Sequence, residues 1–329
     1  MRGSIHGFLA AIVFTVLAAL PLGVAAQSRV ARVAILGMEA QTEAGTALRQ
    51  TFLDALRERG WEEGRNLEIM QRWAEGRAER YLPLAAELVA LRPDVIVVQS
   101  TQGTRAVREK TDAIPIVMLD VADPIASGFI ASLARPGGNI TGLSAQGSEM
   151  WGKWLQLLVE VRPGTSRIAA LWIPDNPAST QRRDALAAIA PQLAITLQSF
   201  MVTTAEELPA VLADIAQWHP DAFLLDPSPL IGIHRREVIA FALEQRLPTL
   251  AAFTQWAREG ALMSFSPDAM EIRRRAADYV DRILRGAKPA DLPVEQPTKF
   301  EFVLNLKTAR AIGVQFPSLF FARADEVIE

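Results

Sequence analysis

The chain has 329 residues, half of them apolar, with 34 Lys and Arg against 37 Asp and Glu and no cysteine. Without cysteine there are no disulfides, thiolate nucleophiles, zinc–thiolate sites or lipid-bearing cysteines, and a formal charge of −3 argues against nucleic acid as a partner. A chain of this length and apolar content can bury its own core, and its length suits two domains.

Residues 1–26 read as a secretory signal. Arg2 supplies the positive start, 8–20 form an uncharged apolar run, Pro21 breaks it, and Val24, Ala25 and Ala26 offer small residues for cleavage before Gln27. The apolar core is shorter than the roughly 20 residues a membrane-spanning helix needs. Export is therefore expected, and loss of Arg2 takes the charge from −3 to −4.

Beyond the signal, apolar runs alternate with helical periodicity. Residues 33–36 (VAIL) suit a strand buried on both faces, and Leu48, Phe52 and Leu56 repeat as one side of a helix that Gly60 stops. Strand 67–72, a helix with Tyr81, Leu84, Ala85 and Leu88 inward, and strands 95–98 and 116–119 complete the first half. After Arg135-Pro-Gly-Gly-Asn139 the pattern restarts. Strands are expected at 168–172, 195–200, 222–225, 249–251 and 262–265, with helices at 181–190, 205–217, 235–245 and 268–285. A proline-punctuated stretch from Lys288 leads to strand 300–304 and a helix from Leu306. Such alternation predicts parallel, doubly wound α/β sheets in two successive halves.

Five stretches, in order, carry a resemblance: Gly60-Trp-Glu-Glu-Gly-Arg-Asn-Leu67, Ile114-Pro-Ile-Val117 with Asp123-Pro124, Leu133-Ala-Arg-Pro-Gly-Gly-Asn-Ile-Thr-Gly-Leu143, 288–310 and the closing Arg323-Ala-Asp-Glu-Val-Ile-Glu329. From about Arg32 to the last residue the chain resembles the substrate-binding proteins of ABC transporters, of the tryptophan/tyrosine-binding type. The resemblance implies a type I periplasmic binding fold: two Rossmann-like lobes, 27–143 with 267–293 and 144–266 with 294–329, joined by three crossings. Those crossings fall near 141–144, 266–267 and 293–297, where Gly or Pro, otherwise ordinary loop punctuation, would serve as hinges. It further implies a periplasmic, monomeric carrier that passes a small organic solute to ABC permease subunits. The solute would be an aromatic amino acid or a related aromatic or carboxylate compound.

Ligands of open parallel sheets bind where strand C-termini meet helix N-termini. The loops there present Met38, Ser100, Thr101 and Asp123 in the first half, and Asp175, Asp226, Phe253 and Phe265 in the second. Ser100 and Thr101 could receive a carboxylate or simply cap a helix. Asp123 and Asp226 could accept an ammonium, Asp123 equally a cap. Phe253, Phe265 and Trp172 could stack on a flat ligand or pack in the core, and Met38 could follow ligand shape or merely fill space. Ile173 stands where the family often has Asn, which fits either a less polar ligand or a neutral change.

A catalytic reading finds little support. His219 and His234 follow the signal's His6 without metal-ligand spacing, and Gly142-Leu-Ser-Ala-Gln-Gly147 misses the nucleophile-elbow pattern by one residue. No Walker A or Rossmann glycine motif occurs, and no cofactor, metal or enzymatic activity is expected. A periplasmic ligand sensor that docks on a membrane receptor is the alternative to a transport component.

Overall fold

The computed structural model describes residues 29–38, 43–145, 148–174 and 176–329, so the expected signal and Asp175 lie outside the described residues. The first lobe opens with β1 (Ala31–Gly37), α1 (Glu43–Glu58), β2 (Leu67–Trp73), α2 (Tyr81–Ala90), β3 (Val95–Gln99) and α3 (Thr101–Arg108), and continues with β4 (Ile116–Val121) and β5 (Ile140–Ser144). These strands form one parallel sheet in the order β2-β1-β3-β4-β5. Alternation along β1 explains its apolar run 33–36: Val33 packs in the layer with α1, while Ala34 and Leu36 pack with α2 and α3.

The second lobe contains α4 (Ser148–Val161), β6 (Arg167–Trp172), α5 (Pro177–Ile189), β7 (Thr196–Met201), α6 (Leu208–Trp218), β8 (Ala222–Leu224), α7 (Pro229–Glu244), β9 (Thr249–Ala251), α8 (Thr254–Arg258) and β10 (Met263–Pro267). Then α9 (Ala269–Leu284) returns to pack on α1, with Ile272, Ala276, Tyr279, Val280 and Ile283 buried in the first lobe's core. The chain closes with β11 (Phe300–Asn305), α10 (Leu306–Ile312), α11 (Ser318–Arg323) and β12 (Glu326–Ile328). The second sheet runs β12-β11-β10-β9-β8-β6-β7.

Two details depart from the sequence reading. Residues 141–144, expected near a crossing, belong to a fifth strand that forms before the chain leaves the lobe, with Thr141 and Gly142 opposite Val117 and Met118. The second sheet is not wholly parallel, because β11 runs antiparallel to β10. Gly142 permits the first: at φ +126°, a Cβ there would stand 2.3 Å from the Met118 carbonyl oxygen.

The three crossings are laced together. Glu295 donates its N–H to the Gly142 carbonyl and accepts from the Ser144 N–H, both at 3.0 Å, while Arg275 of α9 pairs with its carboxylate. Tyr279 donates its hydroxyl to the Pro293 carbonyl, and burial pushes that phenol's pKa up. Asp268 caps α9 through the N–H groups of Met270 and Glu271 and receives the Lys299 ammonium at 2.6 Å. Burial alone would raise the pKa of Asp268, but Lys299 and the two amides outweigh it and hold it below the usual carboxylate range.

Candidate functional site: the strand ends facing across the cleft

The C-terminal ends of the parallel strands in both lobes face one cleft, and the lobes meet across it. The loop after β2 touches the start of α7, where a Cβ on Gly76 would lie 2.2 Å from Ile233 Cδ1 and 2.8 Å from the Pro229 carbonyl oxygen. Helix α3 meets α5, and Ala122 of the first lobe packs in the second lobe's core.

On the first lobe's rim, Met38 is buried with Tyr81 and Leu84 beneath α2, and its carbonyl accepts from the Gly76 N–H at 3.0 Å. Ser100 caps α3: its Oγ accepts from the Gly103 N–H at 3.2 Å and donates to Tyr81 Oη at 3.3 Å. Its backbone sits at φ +80°, a region that non-glycine residues rarely occupy. The buried Thr101 hydroxyl accepts from the Ala122 N–H at 3.4 Å, tying the β3 loop to the β4 loop. Asp123 is exposed and caps its own turn, Oδ1 accepting from the Ile125 and Ala126 N–H groups at 3.1 and 2.9 Å. Within the lobe Ser100, Thr101 and Asp123 thus cap and bridge.

On the second lobe's rim Asp226 is buried, and its carboxylate meets Arg182 Nη2 at 2.8 Å, the Ser179 hydroxyl at 2.9 Å and the Ser228 N–H at 2.8 Å. An arriving ammonium would have to share that carboxylate with a guanidinium, and the pair also ties α5 to the loop after β8. Sequence reasoning missed this because Arg182 lies on α5, 44 residues earlier.

The aromatic candidates divide in the same way. Phe253 is half-buried at the start of α8, its ring 5.4 Å from that of Trp256. Phe265 stacks on Phe300 at 5.3 Å, and its carbonyl accepts from Trp154 Nε1 at 2.8 Å. Trp172 is covered by the Arg183 guanidinium, 4.1 Å from the ring centre. Ile173, where the family often has Asn, is buried and donates its N–H to the Ser179 hydroxyl oxygen at 3.0 Å.

Sequence reasoning passed over a second set of first-lobe residues. Gln99 Nε2 donates to Asp120 Oδ2 at 3.1 Å, and Arg273 of α9 brings Nη1 within 3.9 Å of the same oxygen. Beside them the Trp73 ring lies across Gly37, where a Cβ would be 2.0 Å from Cζ3. The periodicity of α9 hides Arg273, since it sits within a run of three arginines that reads as a solvated face.

Among the described residues no helix is long and apolar enough to cross a membrane, and no group of acidic or histidine side chains could hold a metal. Comparison with known proteins agrees with the architecture. Residues 33–328 match the family model described as ABC transporter substrate binding protein. A tyrosine-binding protein of Clostridioides difficile (strain R20291) is 25% identical over 264 residues, 80% of this chain and 76% of that protein. A conserved domain protein from Vibrio cholerae superposes with a TM-score of 0.85 at 28% identity, over 91% of this chain and 100% of the other. The ABC domain in complex with L-Trp from Streptococcus pneumoniae gives 0.84 at 23% identity, over 91% and 99%. A family match from the first strand to the last, on two α/β lobes with parallel-sheet cores, fixes a role in binding and not in catalysis: the chain belongs to the family of ABC transporter substrate-binding proteins.

Proposed function

We propose that this protein is the periplasmic solute-binding component of an ABC importer, and that it takes an aromatic amino acid or a related aromatic or carboxylate compound into the cleft. The observation that carries the reading is the cleft itself: two rows of strand ends face one another, meet at Gly76 and Ile233, and are joined by three laced crossings. Such crossings let two lobes swing about a common edge, and a ligand contacted by both lobes stabilises the apposed arrangement by its differential affinity. A permease can then distinguish loaded from empty carrier by the relative position of the two lobe tips. The ligand class draws on the tyrosine-binding and L-Trp-bound relatives.

In this reading the lobes comprise 27–143 with 267–293 and 144–266 with 294–329, and residues 1–26 direct export. The walls of the site are the loops that carry Met38, Ser100, Thr101 and Asp123 on one side and Asp175, Asp226, Phe253 and Phe265 on the other. Delivery runs to a permease of the inner membrane, and the carrier acts as a monomer.

The test is thermal unfolding against a panel of amino acids, aromatic acids and small carboxylates. A ligand present at one hundred times its dissociation constant stabilises by about 2.7 kcal/mol. A shift with tyrosine or tryptophan supports the ligand class; a shift with an unrelated solute retains the carrier role and replaces the class. No shift across the panel counts against the carrier role.

A further inference from the structure

Arg273 is unusual among the inward-facing arginines. Arg182 and Arg235 are both well buried, and each meets a carboxylate at 2.8 Å, Asp226 and Glu259 respectively. The Arg273 side chain is only 12% exposed, yet its nearest acidic oxygen, Asp120 Oδ2, is 3.9 Å away, and its guanidinium makes no hydrogen bond among the described residues. Its five N–H donors, set in a fixed fork, thus have no acceptor within the lobe, while the side chain keeps only a narrow opening to the outside. A planar fork with free donors at the strand ends is suited to a carboxylate. Burial also pulls the pKa of Arg273 down, with Asp120 opposing.

Asp120 is positioned abnormally for the same encounter. Along β4, Val117 and Leu119 face the α1/α9 layer while Ile116 and Met118 face α2 and α3, so regular alternation would send Asp120 towards α3. Its backbone instead turns to φ +58°, the β4–β5 register shifts between Met118 and Val121, and the carboxylate reaches Gln99 and Arg273 on the α9 side. Gln99 leaves Oδ1 of that carboxylate open. On the same face of the sheet, along its C-terminal edge, Trp73 lies flat over Gly37, because a glycine there leaves room for the ring. The strand-end row therefore runs from an aromatic plane to a carboxamide, a carboxylate and an unsatisfied guanidinium.

We propose that this row is the recognition site for an α-amino acid headgroup: Arg273 receives the ligand carboxylate in its fork, Asp120 receives the ammonium, and Trp73 walls the ligand ring. The proposal rests on the aromatic amino acid reading above and assigns its charged contacts. Ser100 and Thr101, whose hydroxyls are engaged within the lobe, and Asp226, held by Arg182, leave those charges to Arg273 and Asp120. A guanidinium matches the two oxygens of a carboxylate at once, which a hydroxyl does not. The 3.9 Å gap between the two side chains leaves their direct pairing incomplete, so the ligand's two charges can complete both.

The experiment is calorimetric titration of the protein with L-tyrosine, with tyramine, which lacks the carboxylate, and with 3-(4-hydroxyphenyl)propionate, which lacks the ammonium. Wild type should bind L-tyrosine at least about 30-fold more tightly than either analogue, the lower end of what removing one partner of a buried charge pair costs. Arg273→Gln should weaken L-tyrosine by a similar factor and leave tyramine unchanged. Asp120→Asn should weaken L-tyrosine and leave the propionate unchanged. A merely structural role would lower all three affinities together, and that result, or unaltered L-tyrosine binding, overturns the proposal. Should a variant fail to fold, wild type decides alone: tyramine binding as tightly as L-tyrosine overturns the Arg273 assignment. If wild type binds no aromatic amino acid but takes another carboxylate, the ligand class fails and Arg273→Gln is read on that carboxylate. If no carboxylate binds, both fail.

Discussion

Gly76 and Ile233 touch across the cleft, the first from the loop after β2 and the second from the first turns of α7. Gly76 adopts φ +68°, and a Cβ there would meet both the Ile233 side chain and the backbone carbonyl of Pro229. The side chain can move aside but the carbonyl cannot. Gly76→Ala should therefore hold the lobes apart and weaken ligand binding about tenfold or more, in addition to a conformational cost of about 1–2 kcal/mol for a left-handed alanine. Titration with the cognate ligand, combined with small-angle scattering with and without it, reads both effects. Unchanged affinity and unchanged compaction would show that this contact does not limit closure.

Arg182 and Asp226 form a buried pair at 2.8 Å, with side chains 8% and 3% exposed. Removing one partner strands the other charge, so Asp226→Ala should destabilise the protein by about 3–5 kcal/mol. The loss is expected in denaturant unfolding of the free protein, with ligand affinity of the remaining folded fraction close to wild type. The opposite pattern, intact stability with lost affinity, would return Asp226 to the ligand.

Asp123 offers a carboxylate at the rim whose Oδ1 caps its own turn. Asp123→Ala should cost about 1 kcal/mol of stability as a lost cap. If Asp123 also receives a ligand ammonium, affinity falls by a further 2–5 kcal/mol, roughly. With the headgroup assigned to Arg273 and Asp120, the smaller effect is expected, and titration of the variant separates the two.

Acid should loosen the crossings. Asp268, at the second crossing, has a pKa held below its unfolded value of about 3.9. A carboxyl depressed on folding contributes stability above that value, and the contribution is lost as pH falls through the lower folded value. Asp221, hydrogen-bonded to the Ser166 and Arg167 amides, and Glu259, paired with Arg235, are likewise held low against the opposing effect of burial. Stability should be flat from neutral pH to about 5 and then drop below about 4. Asp268→Asn should shrink that drop while lowering stability at pH 7, as measured by unfolding midpoints across the range.

The motifs that carry the family resemblance turn out to be structural. Asn305, just before α10, caps that helix at the Thr308 N–H and donates its amide to the Ala257 carbonyl, pinning α8. Asn139 donates to the Ile114 carbonyl at 2.8 Å, and Thr141 donates to the Leu292 carbonyl at 2.7 Å, fixing the first crossing to the third. Asn66 closes the turn after α1 through the Glu62 N–H and the Gly60 carbonyl. Residues that brace the crossings and helix ends identify the binding family without specifying its ligand.

Elements were legible where apolar periodicity and turn chemistry coincide. Residues 249–251 and the α9 boundaries follow directly from a short apolar run and from a helix that Asp268 opens and Gly286 ends. Helix α4 was passed over, although Trp151, Trp154, Leu155, Leu157 and Leu158 form a buried apolar face on it. Strand β5 contains Thr141 and Gly142 and reads as a crossing until β4 is beside it. Among the site candidates, hydroxyls and carboxylates at strand ends could be located but not assigned, since a cap and a ligand contact use the same residue types.

By itself the sequence determined the alternation of strands and helices and the membership of a binding family. Those features are written in local spacing and in glycine and proline, whose backbone consequences do not depend on distant partners. Only the tertiary structure decided which polar side chains are already satisfied and which are not. Asp226 is neutralised by an arginine 44 residues away, whereas Arg273 approaches an aspartate more than 150 residues earlier without bonding to it. Hydrogen bonding and charge pairing act over a few ångströms of space, so the remaining capacity of a side chain to bind a ligand appears only once the chain has been folded.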